Sequence, residues 1–271
     1  GWKHFGYKQS TSLLIREDFA KEWEKLHAAY EMKAYKLFYK EFKSKIKNIP
    51  FENFTKENYI LLIAANLIEK DIEIILRKVW YSVGVTHGTL IEKKLNNLKK
   101  GSPPLFSELF QKFILDFISM FGGTKIKSIT DTLVQALILE FKKGLEENLS
   151  IRQIVAKIKR NANNGNLLKY QILRIARTET TFASNNATYL VGQNSNLVLN
   201  KVWIGRNDGR ERDTHIAANN TEVGLNERFK IGSDEMLHPG DHSGRASNVI
   251  NCRCTIAYKP KRDQNGLLIF K

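Results

Sequence analysis

Cys252 and Cys254 stand two positions apart, and three histidines, His215, His238 and His242, precede them. Thiolates and imidazoles are the usual ligands of zinc, and Cys2His2 is an ordinary structural set. If residues 249–258 form a strand, both thiols project from one face and Arg253 from the other. A disulfide between them is geometrically poor, because the side chains run parallel and too far apart. Shared metal ligation is easier. The spacing is not that of a standard zinc finger, so two buried free thiols remain the competing reading.

A second cluster follows Trp203: Asp208, Arg210, Glu211, Arg212, Asp213 and His215 crowd into a few residues behind an Asp208-Gly209 turn signal. Together with the cysteines it has the residue types of a metal-dependent nuclease or phosphodiesterase using His215 as general base. The plainer reading is a charged hairpin tip or helix start. A third group is Arg174, Arg177, Thr178 and Glu179, with Asn185-Asn186 further along. On a helix, Arg174, Arg177 and Thr178 share a face, and Asn185 lies about two turns from Arg177. Its plainer reading is a solvated face with Arg–Glu pairs.

The elements that must hold these residues are mostly helical. Residues 17–47 carry Phe19, Trp23, Leu26, Tyr30, Ala34, Leu37 and Phe38 at helical spacing. Residues 59–81 predict a more deeply buried helix, with breaks at Gly84 and His87-Gly88 and a short helix over 89–99. Gly101-Ser102-Pro103-Pro104 reads as a linker. A helix over 106–121 is expected to stop at Gly122-Gly123, and 128–146 has the cleanest helical pattern. Ser150 and Gln153 have capping-box spacing, with Leu149 and Ile154 as the staple. After a turn at 161–165, a helix spans about 167–190. From Gly192 the chain turns rich in Gly, Asn, Asp and Arg, with strand-like runs at 197–204 and 249–258. The fold class is therefore α+β: a long-helix bundle in the N-terminal two thirds and a small, loop-rich α+β part at the C-terminal end. The expected division is 1–100, 101–190 and 191–271.

The chain has 271 residues with 43 Lys+Arg and 28 Asp+Glu, a formal net charge of +15. This balance favours an anionic partner, most often nucleic acid. Eleven of the 13 arginines lie after residue 150, so the front reads as solvated lysine faces and the rear as the place for specific pairing or phosphate contact. No stretch approaches the roughly 20 apolar residues of a membrane helix, so no membrane partner is expected. There is no signal-peptide pattern, and two cysteines make no disulfide framework, which suggests synthesis in a reducing cytoplasm.

Taken in order, Arg177-Thr178-Glu179, Trp203, the Asp208–Arg210–Arg212–His215 run, the Pro239-Gly240-Asp241 turn and Asn251-Cys252-Arg253-Cys254 resemble the Mu F-like, or SPP1 gp7-like, head morphogenesis domain of tailed phages. The resemblance covers about residues 145–260. It implies a structural minor capsid protein of a tailed phage or prophage, placed in the capsid interior or at the portal vertex and made in the bacterial host cytoplasm. The implied partners are the portal protein, the major capsid protein or both, and packaged double-stranded DNA bound without base preference. A homo-oligomer is compatible with it. No catalytic residue is implied. Arg177, Glu179, Asp208, Arg210 and Arg212 are expected to form a structural network. Arg152, Lys157, Lys159, Arg160 and Arg174 are expected to meet DNA phosphates. His238 and His242 depart from the family pattern, as does Asn219-Asn220. That leaves His215, Cys252 and Cys254 as the zinc candidates, with a fourth ligand such as Asp213. No other cofactor is expected. The alternatives are the nuclease or phosphodiesterase above and a helical adaptor unrelated to phage.

Overall fold

Ala176, Ala183, Ala187 and Gly192, interleaved with Thr and Ser, make residues Lys169–Asn194 a helix that neighbours can approach from every side (α7). Its buried hydroxyls are satisfied inside the helix: Ser184 donates to the Thr180 carbonyl at 2.7 Å and Thr188 to the Ser184 carbonyl at 3.0 Å. In the computed structural model, residues 17–99, 106–206 and 208–271 are described. The expected linker at 101–104 lies outside them.

Around α7 pack α1 (Glu17–Lys47), α3 (Glu69–Lys99), α4 (Phe106–Phe117) and α5 (Gly123–Glu146). A short α2 (Tyr59–Asn66) rests on α5, and α6 (Ile151–Asn163) lies against α5 and α1. One continuous set of buried side chains runs from Tyr30 through Trp80, Phe141 and Phe182 to Tyr258. A second buried cluster, with Trp203, Phe229, Ile231, Met236, Cys252 and Cys254 in it, lies in the rear.

Three expected breaks are absent. The helix α3 runs straight through Gly84 and His87. A Cβ at Gly84 would lie 1.9 Å from the Phe110 ring, so this glycine serves close packing of α3 on α4. The break falls earlier, between Asn66 and Glu69. Likewise Gly122 and Gly123 keep helical dihedrals, and a π turn over Ile118–Gly122 carries α4 into α5. The capping box of Ser150 and Gln153 forms at the start of α6, with the Ser150 N–H donating to Gln153 at 2.8 Å.

After α7 comes a three-stranded antiparallel sheet ordered β2-β1-β5, from β1 (Leu199–Ile204), β2 (Glu222–Gly224) and β5 (Thr255–Pro260). Trp203 of β1 pairs with Ile256 of β5. The short α8 (Asp213–Ala218), the β3 (Phe229–Ile231) and β4 (Asp234–Met236) hairpin and α9 (Ala246–Val249) complete the rear. The described residues thus form an α+β fold with a helical bundle. No described helix is long and apolar enough to cross a membrane.

Candidate functional site

The expected strand over 249–258 begins only at Thr255; residues 246–249 are helical, and the cysteines lie in the connection between. Their placement comes from the backbone. Asn251 takes a left-handed conformation with φ of 64°, which Asn tolerates better than most residues. Three residues of α7 then grip the segment. The Asn251 N–H donates to Thr178 Oγ1 at 2.9 Å, and Thr181 Oγ1 donates to the Cys252 carbonyl at 2.5 Å. Asn185 makes four bonds: its amide donates to the Thr181 and Cys254 carbonyls, and its oxygen accepts from Thr255 Oγ1 and the Ile256 N–H. That uses the full capacity of a buried amide. From the other side, Trp23 of α1 donates to the Arg253 carbonyl at 2.9 Å.

With the backbone held, both thiols point inward and are buried. His215 of α8 turns Nδ1 toward them, 3.6 Å from Cys252 Sγ and 3.4 Å from Cys254 Sγ. Its ring meets Trp203 edge-on at 5.5 Å, and its Nε2 is buried without a hydrogen-bond partner. Contact with Cys254 and with His215 holds the Cys252 thiol well below the usual thiol range. The same contact, with burial, pushes Cys254 up. Asp213, the proposed fourth ligand, is exposed and lies outside the group formed by the other three. His238 and His242 also lie outside it. His238 is buried against Asn186, with Nε2 and Oδ1 3.2 Å apart, and burial lowers its pKa to about 4.

The charged run is arranged differently from the sequence expectation. Asp208 pairs with Arg210 at 2.9 Å and with Arg253 at 2.7 Å. Burial alone would raise the Asp208 carboxyl, but the hydrogen bond from Arg210 and the charges of Arg253 and Arg210 hold it below the usual range. Arg212 is not in that pairing; it donates to the Ile250 carbonyl. Arg206 also approaches Asp208, at 3.5 Å, and sequence proximity could not assign Arg253 as a partner. Arg206, Arg210, Arg212 and Arg253, with the cysteines and His215, line a cavity of about 20 Å³.

Arg177 and Glu179 face different neighbours. Arg177 grips Glu31 of α1 and donates to Asn251 Oδ1 at 2.6 Å. Glu179 is buried and accepts from Trp80 of α3 at 2.8 Å and pairs with Lys125 of α5 at 2.9 Å. Neither reaches the Asp208 loop; each ties α7 to another helix. Of the expected DNA contacts, Arg152, Lys159 and Arg160 lie exposed on α6, Lys157 pairs with Glu147 at 2.8 Å, and Arg174 lies exposed on α7. The sequence reading passed over Lys201, fully buried with Nζ donating to the Leu237 carbonyl at 2.7 Å. Burial lowers its pKa to about 7. The Pro239–Asp241 turn sits on α7, and a Cβ at Gly240 (φ 79°) would come within 3.0 Å of the Phe182 backbone.

The profile of the family described as Phage Mu protein F like protein matches residues 127–257, which include α7, the Asp208 loop and both cysteines. A curated relative, an NAD(+)–arginine ADP-ribosyltransferase, EFV, of Enterococcus faecalis, is 33% identical over 129 residues. The match covers 46% of this chain and 26% of that relative, so the chain spans about a quarter of its length. No solved structure matches. Residues 127–257 are thus similar to the family described as Phage Mu protein F like protein, and the segment that bears the cysteine–histidine cluster lies inside the matched region.

Proposed function

We propose that this chain is a structural minor head protein of a tailed phage or prophage, associated with the portal and packaged DNA during head assembly, packaging or ejection. The observation that carries the reading is the match to the Mu F-like family over residues 127–257. The geometry agrees with a scaffold. Thr178, Thr181 and Asn185 spend their hydrogen bonds on backbone, and Arg177 and Glu179 on neighbouring helices. In this reading the front helices attach the domain to portal or major capsid protein, and the surplus of positive charge faces DNA. The protein is then a component of the virion.

The nuclease or phosphodiesterase reading rests on the arginine-lined cavity beside the cysteines. The base that this reading names, His215, is 2% exposed and turns Nδ1 to sulfur. The ADP-ribosyltransferase activity named for the relative is not carried over, since three quarters of that protein lies outside the match.

Mass spectrometry of purified particles tests the proposal. A few copies of this chain per head, and heads that fail to mature when its gene is deleted, are the expected result. Absence of the chain from mature and immature heads alike would end the reading. Cleavage of DNA with added Zn, Mg or Mn, lost in His215→Ala, would favour the enzyme instead.

A further inference from the structure

We propose that His215, Cys252 and Cys254 bind a zinc ion through Nδ1 and the two Sγ atoms, leaving a fourth coordination position open to the arginine-lined cavity. The donor atoms already sit at the right separations. Zinc with Zn–S of about 2.3 Å and Zn–N of about 2.0 Å places S and N about 3.5 Å apart around a tetrahedron. The observed separations are 3.6 and 3.4 Å, and all three donors lie within 4.8 Å of one another.

The site is built rather than accidental. Trp23, Thr178, Thr181 and Asn185 fix the 251–254 backbone from two helices, so the thiols need no rearrangement to converge. The Cys254 N–H approaches Cys252 Sγ at 3.4 Å, a donor placed for a thiolate. Two thiolates and Zn²⁺ sum to zero charge, which suits a buried place beside Arg206, Arg210 and Arg253. Thiolate and imidazole together select zinc over magnesium or calcium.

Three protein ligands leave a tetrahedral ion one short. Asp213, His238 and His242 do not join the set. The adjoining cavity of about 20 Å³ does adjoin all three ligands, and that is room for about one water. We therefore assign the fourth position to solvent, in the manner of three-ligand sites that keep an open position.

The test uses the full chain purified without a histidine tag, stripped with chelator and titrated with Zn²⁺ or Co²⁺. Expected are about one metal per chain and a cobalt spectrum of tetrahedral, thiolate-ligated type. Zinc should protect both cysteines from alkylation. Cys252→Ser, Cys254→Ser and His215→Ala, checked for folding by circular dichroism, should each weaken binding by about 100-fold or more. Asp213→Asn should bind as the parent does. Azide should alter the cobalt spectrum. Failure of the parent chain to bind metal stoichiometrically, or parent-like affinity in a folded Cys254→Ser, overturns the site. If the cysteine variants do not fold, alkylation of both thiols at the same rate with and without zinc overturns it. A cobalt spectrum indifferent to azide overturns the open position.

Discussion

The Arg177 guanidinium holds the Glu31 carboxylate with two hydrogen bonds, of 2.9 and 2.6 Å, across 146 residues of sequence. The two side chains are 22% and 13% exposed. The pair fastens α7 to the first helix, and the third Arg177 bond reaches Asn251 next to the cysteines. Lysine cannot reproduce a forked grip. Arg177→Lys should lower stability by about 1–3 kcal/mol, as should Glu31→Gln, because each leaves a partly buried charge underpaired. A double-mutant cycle in urea checks this. Additive losses would mean that the pair is not coupled.

Gly84 should tolerate no side chain. A methyl there would fall 1.9 Å from two Phe110 ring atoms, both deep in the core. Gly84→Ala would raise intrinsic helix propensity in isolation, yet overpacking of this kind costs about 1–3 kcal/mol. Combining it with Phe110→Leu should recover part of the loss. A stabilised Gly84→Ala in thermal melts would show that α4 does not pack on α3 there.

Gly84 also marks what the sequence could and could not convey. Helical periodicity located the long helices, and the Ser150–Gln153 spacing located the start of α6, because both signals are local. Glycine reads locally as a break, but here its value is the ring of Phe110, 26 residues away. Of the three side chains that hold the cysteine segment, Thr178 and Asn185 were legible as members of a helix face, whereas Thr181 was not singled out. The backbone groups that they hold were not legible. The same limit hid the Arg253 partner of Asp208, and the Trp80 and Lys125 partners of Glu179. Those pairs exist only because of how helices and loops pack. The cysteine pair itself was legible as chemistry, while the strand expected over 249–258 starts only at Thr255 and leaves the pair in the connection before it.

The chain should lose stability in mild acid through two histidines. His87 of α3 is wedged edge-on against Trp23 and Tyr30, and neither ring nitrogen has a hydrogen-bond partner. Burial first, then the Lys94 charge, lowers its pKa to about 3. Burial first, then Arg206, Arg177 and Arg253, lowers His27 to about 3. Folded values below the unfolded value of 6.5 mean that the unfolded chain takes up the protons first. The stability is complete above pH 6.5 and drains as pH falls toward 3. At pH 5 each histidine costs about 2 kcal/mol. His87→Leu should therefore flatten the acid limb by about that amount while costing little at pH 7, since no hydrogen bond is lost. Urea midpoints from pH 4 to 8 check it; parallel curves for parent and variant would refute it.

DNA binding, if it belongs to this chain, should be carried by the cations that have no partner. Among the expected positions, Lys157 is committed to Glu147 and Lys159 lies over the Phe51 ring, 5.6 Å from its centre. Arg152, Arg160 and Arg174 are exposed and make no ion pair among the described residues. Each phosphate contact contributes about 0.9 to the slope of log affinity against log salt. Replacing these three arginines with glutamine should thus lower the slope by nearly three contacts, equally for DNA of any sequence. Lys157→Gln should leave it almost unchanged, because that charge is already neutralised in the free protein. Gel shifts in rising salt supply the slopes. No retention of DNA even at low ionic strength would remove DNA as a partner, and a loss as large for Lys157→Gln as for Arg174→Gln would place the contact on some other face.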